Sequence, residues 1–432
     1  MKYKNLLSSI DDKKRSTNGC IFSENEQKTN FYSCQEKEYK KSIIRKIGIY
    51  FFKRIFIFFL ILTILPILSK EFMLIYYRFS NITLTINGIG KKRVFYEKDK
   101  YKSCHVFVPP NEVFINNIKQ NQINFEYNFN KSKNIVKLVW NKEAFAITCI
   151  FYRCSDIKEI DFSYFNSSLI SGDIHDMFNN CTSLISLDLS YLDISQVTNI
   201  RYLFYNCQSL TSINLTNFNT LKTTNMSNMF YNCNSLKSIN LSSFKTSELL
   251  ECRYMFQNCI LLTSIDISSF DLTKVTTIAV MFMNCTSLKT VIFPESKTPN
   301  LMSIRYLFRD CISLVSFDLS YFTTSKLIYM NYAFYNCKSL TSINLSHFDT
   351  SSVIWTESMF EGCSNLQYIN LQNAKQTTNK QYNCNNAFTG TPENLVICIR
   401  YENVQKLTEL LIKQKDPSCY KIDCSINWKS IQ

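Results

Sequence analysis

The chain is poor in residues that break or bend a backbone, with only seven glycines and seven prolines among its 432 residues. That scarcity excludes collagen-like and flexible Gly/Ser-rich classes. No P-loop or Rossmann glycine pattern occurs either, which removes the common nucleotide-binding motifs. Histidine is scarcer still: His105, His175 and His347 are the only three, and there is no HExxH zinc motif. None of the three is placed in sequence with a nucleophile and a carboxylate, and neighbours such as Cys104 and His105 do not make a working dyad. The sequence therefore points away from catalysis and calls for no cofactor.

The formal net charge of +14 invites a nucleic-acid partner. Much of it, however, lies in Lys40, Lys41, Arg45, Lys46, Lys53 and Arg54 and in lysines of residues 91–143 and 405–429. The middle of the chain is close to neutral, so no nucleic-acid groove is expected there. Beside the first cluster runs IFIFFLILTILPILS, Ile55–Ser69. Fifteen helical residues rise only about 22 Å, but extension within 47–77 reaches a membrane-spanning length with charges near enough to the ends to snorkel. The expectation is a transmembrane anchor over 47–77. The basic flank places residues 1–46, a polar tail without apolar period, in the cytosol and the rest outside, a type II topology.

What is abundant is a repeated phrase. A phenylalanine stands three places before Cys154, Cys181, Cys207, Cys233, Cys259, Cys285, Cys311, Cys337 and Cys363. These cysteines are spaced 27 and then seven times 26 residues apart, a period that marks a stacked-repeat architecture. With the cysteine as position zero, +3 is Leu in eight copies, and +6 and +8 are apolar throughout, a strand alternation. Phe recurs at +11, as in Phe218, Phe244 and Phe270. Before each cysteine the apolar spacing changes: Val197, Ile200, Leu203, Phe204 and Cys207 form one stripe of a helix or a tight helical turn. One unit cannot bury both its strand face and this stripe, whereas stacked units bury them together.

The text MSNMFYNCNSLKSINLSSFKTS (226–247) and MNYAFYNCKSLTSINLSHFDTSSV (330–353) resembles the BspA-like leucine-rich repeat of bacterial surface proteins, mycoplasma-type lipoproteins and protist surface proteins. The resemblance implies a curved right-handed solenoid, adhesion or surface recognition, and no catalytic residues. The expected fold is thus an α/β repeat: a right-handed leucine-rich-repeat solenoid with one parallel sheet over 151–376, in nine coils. Before it come the transmembrane helix and a small β-rich capping module at 79–150. Residues 377–432 are expected to form a degenerate coil and a cysteine-containing cap. VIFPESKTPN at 291–300 departs from the pattern, with Pro294 at +9 and Ser296 at +11, so a bulge is expected there.

The nine repeat cysteines lie on the apolar stripe, and side chains that all point the same way have poor geometry for neighbouring disulfides, so buried thiols are expected. Cys252 at −7 reads the same way. The ends differ: Cys104 is expected to pair with Cys149, and at least one bond is expected among Cys384, Cys398, Cys419 and Cys424. Without a CxxC pair or a nearby histidine, zinc is not expected at that C-terminal group.

Recognition is expected on the concave sheet face. Its +5 column includes Ser212, Ser238 and Ser264, and its +7 column Asp188, Asn214, Asn240, Asp266, Asp318 and Asn344. These suit an extended protein or glycan ligand, while a line of carboxylates lacks the convergence calcium needs. Tyr202, Tyr254, Tyr306 and Tyr332, all at −5, mark a second candidate surface. Glycosylation sequons stand at Asn81, Asn130 and Asn166, and at Asn180, Asn214, Asn225, Asn240, Asn284 and Asn344 within the repeat. The expected function is cell-surface recognition or adhesion, with an intracellular membrane-tethered scaffold as the alternative.

Overall fold

The computed structural model describes residues 80–96, 104, 108–141, 146–168, 170–372 and 383–398. The anchor region 47–77, the tail 1–46, and Cys419 and Cys424 lie outside these residues. Among the described residues no helix is long and apolar enough to cross a membrane.

The N-terminal module is a set of strands: β1 (Ser80–Asn87), β2 (Gly90–Arg93), β3 (Glu112–Ile115), β4 (Ile118–Lys119), β5 (Glu126–Phe129) and β6 (Lys133–Trp140). The alternation of Ile82, Leu84 and Ile86 makes β1 a strand with one buried face, and β6 lies antiparallel to it through Val136 and Leu138. The first coil contributes β7 (Ile157–Asp161), which pairs antiparallel with the free edge of β1. The module therefore covers the open end of the repeat by continuing its hydrogen bonding, which protects an edge strand. Trp140 packs edge-on against Phe165 of the first coil at 5.7 Å, joining the two cores.

From Cys154 onward the chain winds in coils stacked in parallel. The strands Ser186–Asp188 and Ser212–Asn214 pair in register, as do Ser264–Asp266, Thr290–Ile292 and Ser316–Phe317, and then Ser342–Asn344, Tyr368–Asn370 and Val396–Cys398. One parallel sheet was expected; among the described residues the ladder instead falls into short pieces of two or three strands. Each coil commits only about three residues to it, so a small rotation loses a strand. At Ser238–Asn240 no strand forms, yet the Thr263 amide still donates to Lys237 O at 3.3 Å.

The larger correction concerns the segment before each cysteine. The apolar stripe is buried as expected, but no helix is present among the described residues. Amides at −7, −5, −3 and −1 donate to the next coil: Ile200 to Asn225 O (3.0 Å), Tyr202 to Ser227 O (3.0 Å), Phe204 to Met229 O (2.9 Å) and Asn206 to Tyr231 O (2.7 Å). The intervening amides close tight turns within the coil, as Leu203 to Ile200 O (3.3 Å), Tyr205 to Tyr202 O (3.1 Å) and Cys207 to Phe204 O (3.2 Å). The cause is a left-handed residue at every fourth position, with φ 57° at Tyr202 and 60° at Asn206. Each flips the peptide so that alternate N–H groups point along the stack.

This geometry explains the repeated phrase. Phenylalanine rings from Phe151 through Phe178, Phe204, Phe230, Phe256, Phe282, Phe308, Phe334 and Phe360 to Phe388 stack with centroids 5.2 to 6.0 Å apart. The ladder thus runs into the degenerate coil, where Phe388 is retained. Each cysteine thiol donates to the backbone carbonyl of the phenylalanine one coil earlier, from Cys181 to Phe151 O (3.1 Å) through Cys363 to Phe334 O (3.0 Å). A thiol here is a small buried hydrophobe that also adds a second donor to a carbonyl already accepting an amide of its own coil, as Phe204 O accepts the Cys207 amide. Asparagine at −1 accepts the left-handed backbone more readily than other residues and links coils through its amide. Asn232 donates to Asn206 Oδ1 at 3.1 Å, Asn258 to Asn232 at 3.0 Å and Asn284 to Asn258 at 2.9 Å. In the coil of Cys363, Gly362 takes this place with φ 75°.

Three outcomes follow. Phe256→Ala, at a ring fully buried between two others, lowers unfolding free energy by about 3–5 kcal/mol in chemical denaturation. Asn232→Ala is more damaging than Asn232→Gly by about 1 kcal/mol, because only glycine adopts φ 62° freely. Burial holds the thiols of Cys252, Cys285 and Cys363 protonated up to about 12, against an ordinary 9.0. The folded state favours their neutral form, so their stabilisation is complete below pH 9.0 and is lost as pH rises toward 12. Denaturation midpoints measured from pH 7 to pH 11 should fall, and less steeply in a Cys252→Ala/Cys285→Ala variant.

Candidate recognition surfaces

The +5 and +7 side chains leave the sheet on its outward face. Ser212, Ser238 and Ser264 are exposed, as are Asp188, Asn214, Asn240, Asp266 and Asp318; Asn344 is half-buried. The +7 side chains also have a local task. Asp188 Oδ1 accepts the Ser190 amide at 2.9 Å, Asn214 that of Thr216 at 3.1 Å, Asn240 that of Ser242 at 3.0 Å and Asp266 that of Ser268 at 2.8 Å. Asp318 and Asn344 do the same for Ser320 (2.7 Å) and Ser346 (3.1 Å). These are Asx turns that bend the chain out of the strand, so one acceptor of each residue serves the fold. Ile292 interrupts the column in the coil carrying Pro294, and it is 55% exposed.

The tyrosine face has a different character. Arg–Tyr pairs occupy −6 and −5 in three alternate coils: Arg201–Tyr202, Arg253–Tyr254 and Arg305–Tyr306. Ser227–Asn228 and Ala279–Val280 lie between them. Above Val280 this leaves a groove of about 580 Å³ walled by Tyr254, Tyr306, Tyr329, Met283 and Met302 and rimmed by Arg253, Arg305 and Arg309. The Arg305 guanidinium sits over the Tyr306 ring at 4.5 Å and donates to its hydroxyl at 3.0 Å. Arg309 lies over the rings of Tyr306, Tyr332 and Tyr335 at 5.4, 5.6 and 5.0 Å. Such contacts hold long side chains in fixed places. Tyr254 and Val280 keep φ of 61° and 64°, a region costly for bulky and β-branched side chains, where Asn228 sits with little strain at 59°.

The cysteines divide as their positions dictate. Cys104 and Cys149 form a disulfide with Cα atoms 5.7 Å apart, as the sequence suggests. Cys398 is disulfide-bonded. Cys384 sits at −7 like Cys252, buried in the core of the degenerate coil. His175 was matched to no partner in sequence, yet its ring is buried beside the Cys104–Cys149 pair, with Asp173 and Asp176 within 2.5 and 3.7 Å of its two nitrogens.

Among the sequons, Asn130 is exposed, Asn166 half-buried and Asn81 buried within β1. Asn180 and Asn284 stand in the amide ladder, Asn180 accepting from Asn206 at 2.6 Å. Glycopeptide mapping should find these two unmodified in folded protein; a glycan on Asn284 would contradict the ladder.

The chain belongs to the family described as "Mycoplasma protein of unknown function, DUF285", which it matches over residues 111–238, 211–294 and 290–394, more than half its length. The match carries the BspA-like leucine-rich-repeat resemblance of the sequence. No curated protein matches. Among solved structures, a leucine-rich-repeat protein from Bacteroides ovatus is 17% identical, covering 58% of this chain and 87% of that one, with a TM-score of 0.24. A leucine-rich-repeat protein of Leptospira interrogans is 12% identical over 57% of this chain and 91% of its own, with a TM-score of 0.20. A chain of a TLR13–ssRNA13 complex is 19% identical, covering 54% of this chain and 27% of that one, with a TM-score of 0.26.

Proposed function

We propose that this protein is a surface recognition protein that binds a protein partner through the arginine–tyrosine face of its solenoid. The observation that carries the reading is the groove over Val280, which gathers Tyr, Met and Arg, residue types enriched at protein interfaces, on a rigid stack. Tyrosine and valine there occupy a backbone conformation that asparagine would hold more comfortably, which is understandable if their side chains are retained for contact. The outward sheet face, with Ser212, Ser238, Ser264 and its exposed Asx residues, extends the surface available to a protein or glycan ligand. No catalytic constellation motivates a reaction.

Display outside the cytosol, with residues 47–77 as membrane anchor, is part of the proposal. The Cys104–Cys149 disulfide supports it, since such bonds persist in oxidising compartments. The alternative, a membrane-tethered scaffold facing the cytosol, calls for those cysteines as thiols in freshly isolated protein. Antibody to the repeat should label unpermeabilised cells expressing the full chain; labelling only after permeabilisation supports the scaffold.

Full-length protein in detergent, probed against protein and glycan arrays, should bind a protein. The binding should weaken at least tenfold in a Tyr254→Asn/Arg305→Gln variant, whose asparagine keeps the left-handed turn. Hits that survive this variant but fail in Ser238→Arg place recognition on the sheet face, and glycan hits alone overturn the choice of partner.

A further inference from the structure

His175 is a polar side chain with no evident task. It lies at −6 of the second coil, where other coils carry the exposed Arg253 and Arg305 or the half-buried Arg201, yet its side chain is only 5% exposed. Its Nδ1 is 2.5 Å from Asp173 Oδ1, but its Nε2 is 3.7 Å from Asp176 Oδ2, beyond hydrogen-bond reach, and has no partner. A buried imidazole without a satisfied nitrogen costs free energy unless something else takes the lone pair. The sulfurs of Cys104 and Cys149 and a ring nitrogen of His175 all lie within 4.8 Å of one another, and all three residues are buried.

We propose that Cys104, Cys149 and His175 form a zinc site in the reduced protein, so that one cluster closes by a disulfide under oxidising conditions and by a metal under reducing ones. The edges of a tetrahedral site with sulfur and nitrogen ligands are roughly 3.5–3.8 Å, within reach of this spacing by small side-chain rotations. Asp173 stands beside Nδ1, as the carboxylate that orients a metal-binding histidine and directs Nε2 to the ion. These three residues supply three ligands and leave the fourth position to water. The chemistry balances in two steps. An external dithiol or phosphine gives two electrons to the disulfide and is itself oxidised, leaving two cysteine thiols. Zn²⁺ then displaces both thiol protons to solvent, and two thiolates with a neutral imidazole cancel its charge, which suits a buried site.

The location gives the switch a purpose. Cys104 belongs to the N-terminal module, Cys149 leads into the first coil and His175 lies in the second. Disulfide or zinc thus ties the capping module to the stack in either redox setting. Cys149 is at −5, where a left-handed φ of 56° turns it toward the module's Cys104.

The test uses full-length protein in detergent, oxidised or reduced with a phosphine, titrated with Co²⁺ as a spectroscopic stand-in for zinc. Reduced wild-type protein should bind one equivalent with thiolate-to-cobalt charge transfer and the visible bands of a tetrahedral ion, displaced by Zn²⁺. Oxidised protein should show neither. His175→Ala, whose disulfide still forms when oxidised and so reports folding, should lose that equivalent when reduced, as should Cys104→Ser. Absence of charge transfer in the reduced wild type overturns the proposal. So does an unchanged cobalt spectrum in reduced His175→Ala, which would assign binding to other thiols.

Discussion

A single coil of this chain cannot satisfy its own backbone. Half of the amides in the turn segment point along the stack, and the carbonyls they need, such as Asn225 O for Ile200, exist only in the next coil. An unpaired buried amide is costly, so neighbouring coils are required before any one of them is stable. The phenylalanine ladder obeys the same constraint in apolar terms, since each ring, as Phe230 between Phe204 and Phe256, loses water only when covered on both faces. Backbone and core therefore impose one register, and the period of 26 residues is its trace in the sequence.

Every other regularity serves that register. Cysteine thiols, asparagine amides and threonine hydroxyls each reach one coil away, as Cys233 to Phe204 O (3.2 Å), Asn258 to Asn232 Oδ1 (3.0 Å) and Thr246 to Asp271 O (3.1 Å). The polar columns that look like binding residues in sequence are partly structural for the same reason, because Asp and Asn at +7 close the corner after the strand. What remains for recognition is the side-chain layer that the stacking does not consume, above all the Arg–Tyr pairs in alternate coils and the notch between them.

The architecture was largely legible. The Phe and Cys columns, the apolar strand positions, the buried repeat thiols and the Cys104–Cys149 pair all follow from side-chain type and spacing, and all are found. The turn segment was not, because the stripe of Val197, Ile200, Leu203, Phe204 and Cys207 buries equally well from a helix and from a chain of turns. The distinguishing signal is backbone handedness, which asparagine at −1 betrays but tyrosine at −5 conceals. The His175 cluster was hidden for another reason. Its members are 26 to 71 residues apart in sequence, and only the packing of the cap against two coils brings them together.

If the coil is the unit of stability, removing a whole one should be far gentler than removing half, as in other stacked-repeat proteins. Circular dichroism and denaturation of a variant lacking residues 234–259, one full period from Cys233 to Cys259, should show cooperative unfolding with modest loss of stability. A variant lacking only residues 234–246 should be unfolded or grossly destabilised, because every ladder beyond the cut is thrown out of register. Equal damage from both deletions, or equal tolerance of both, would contradict the account.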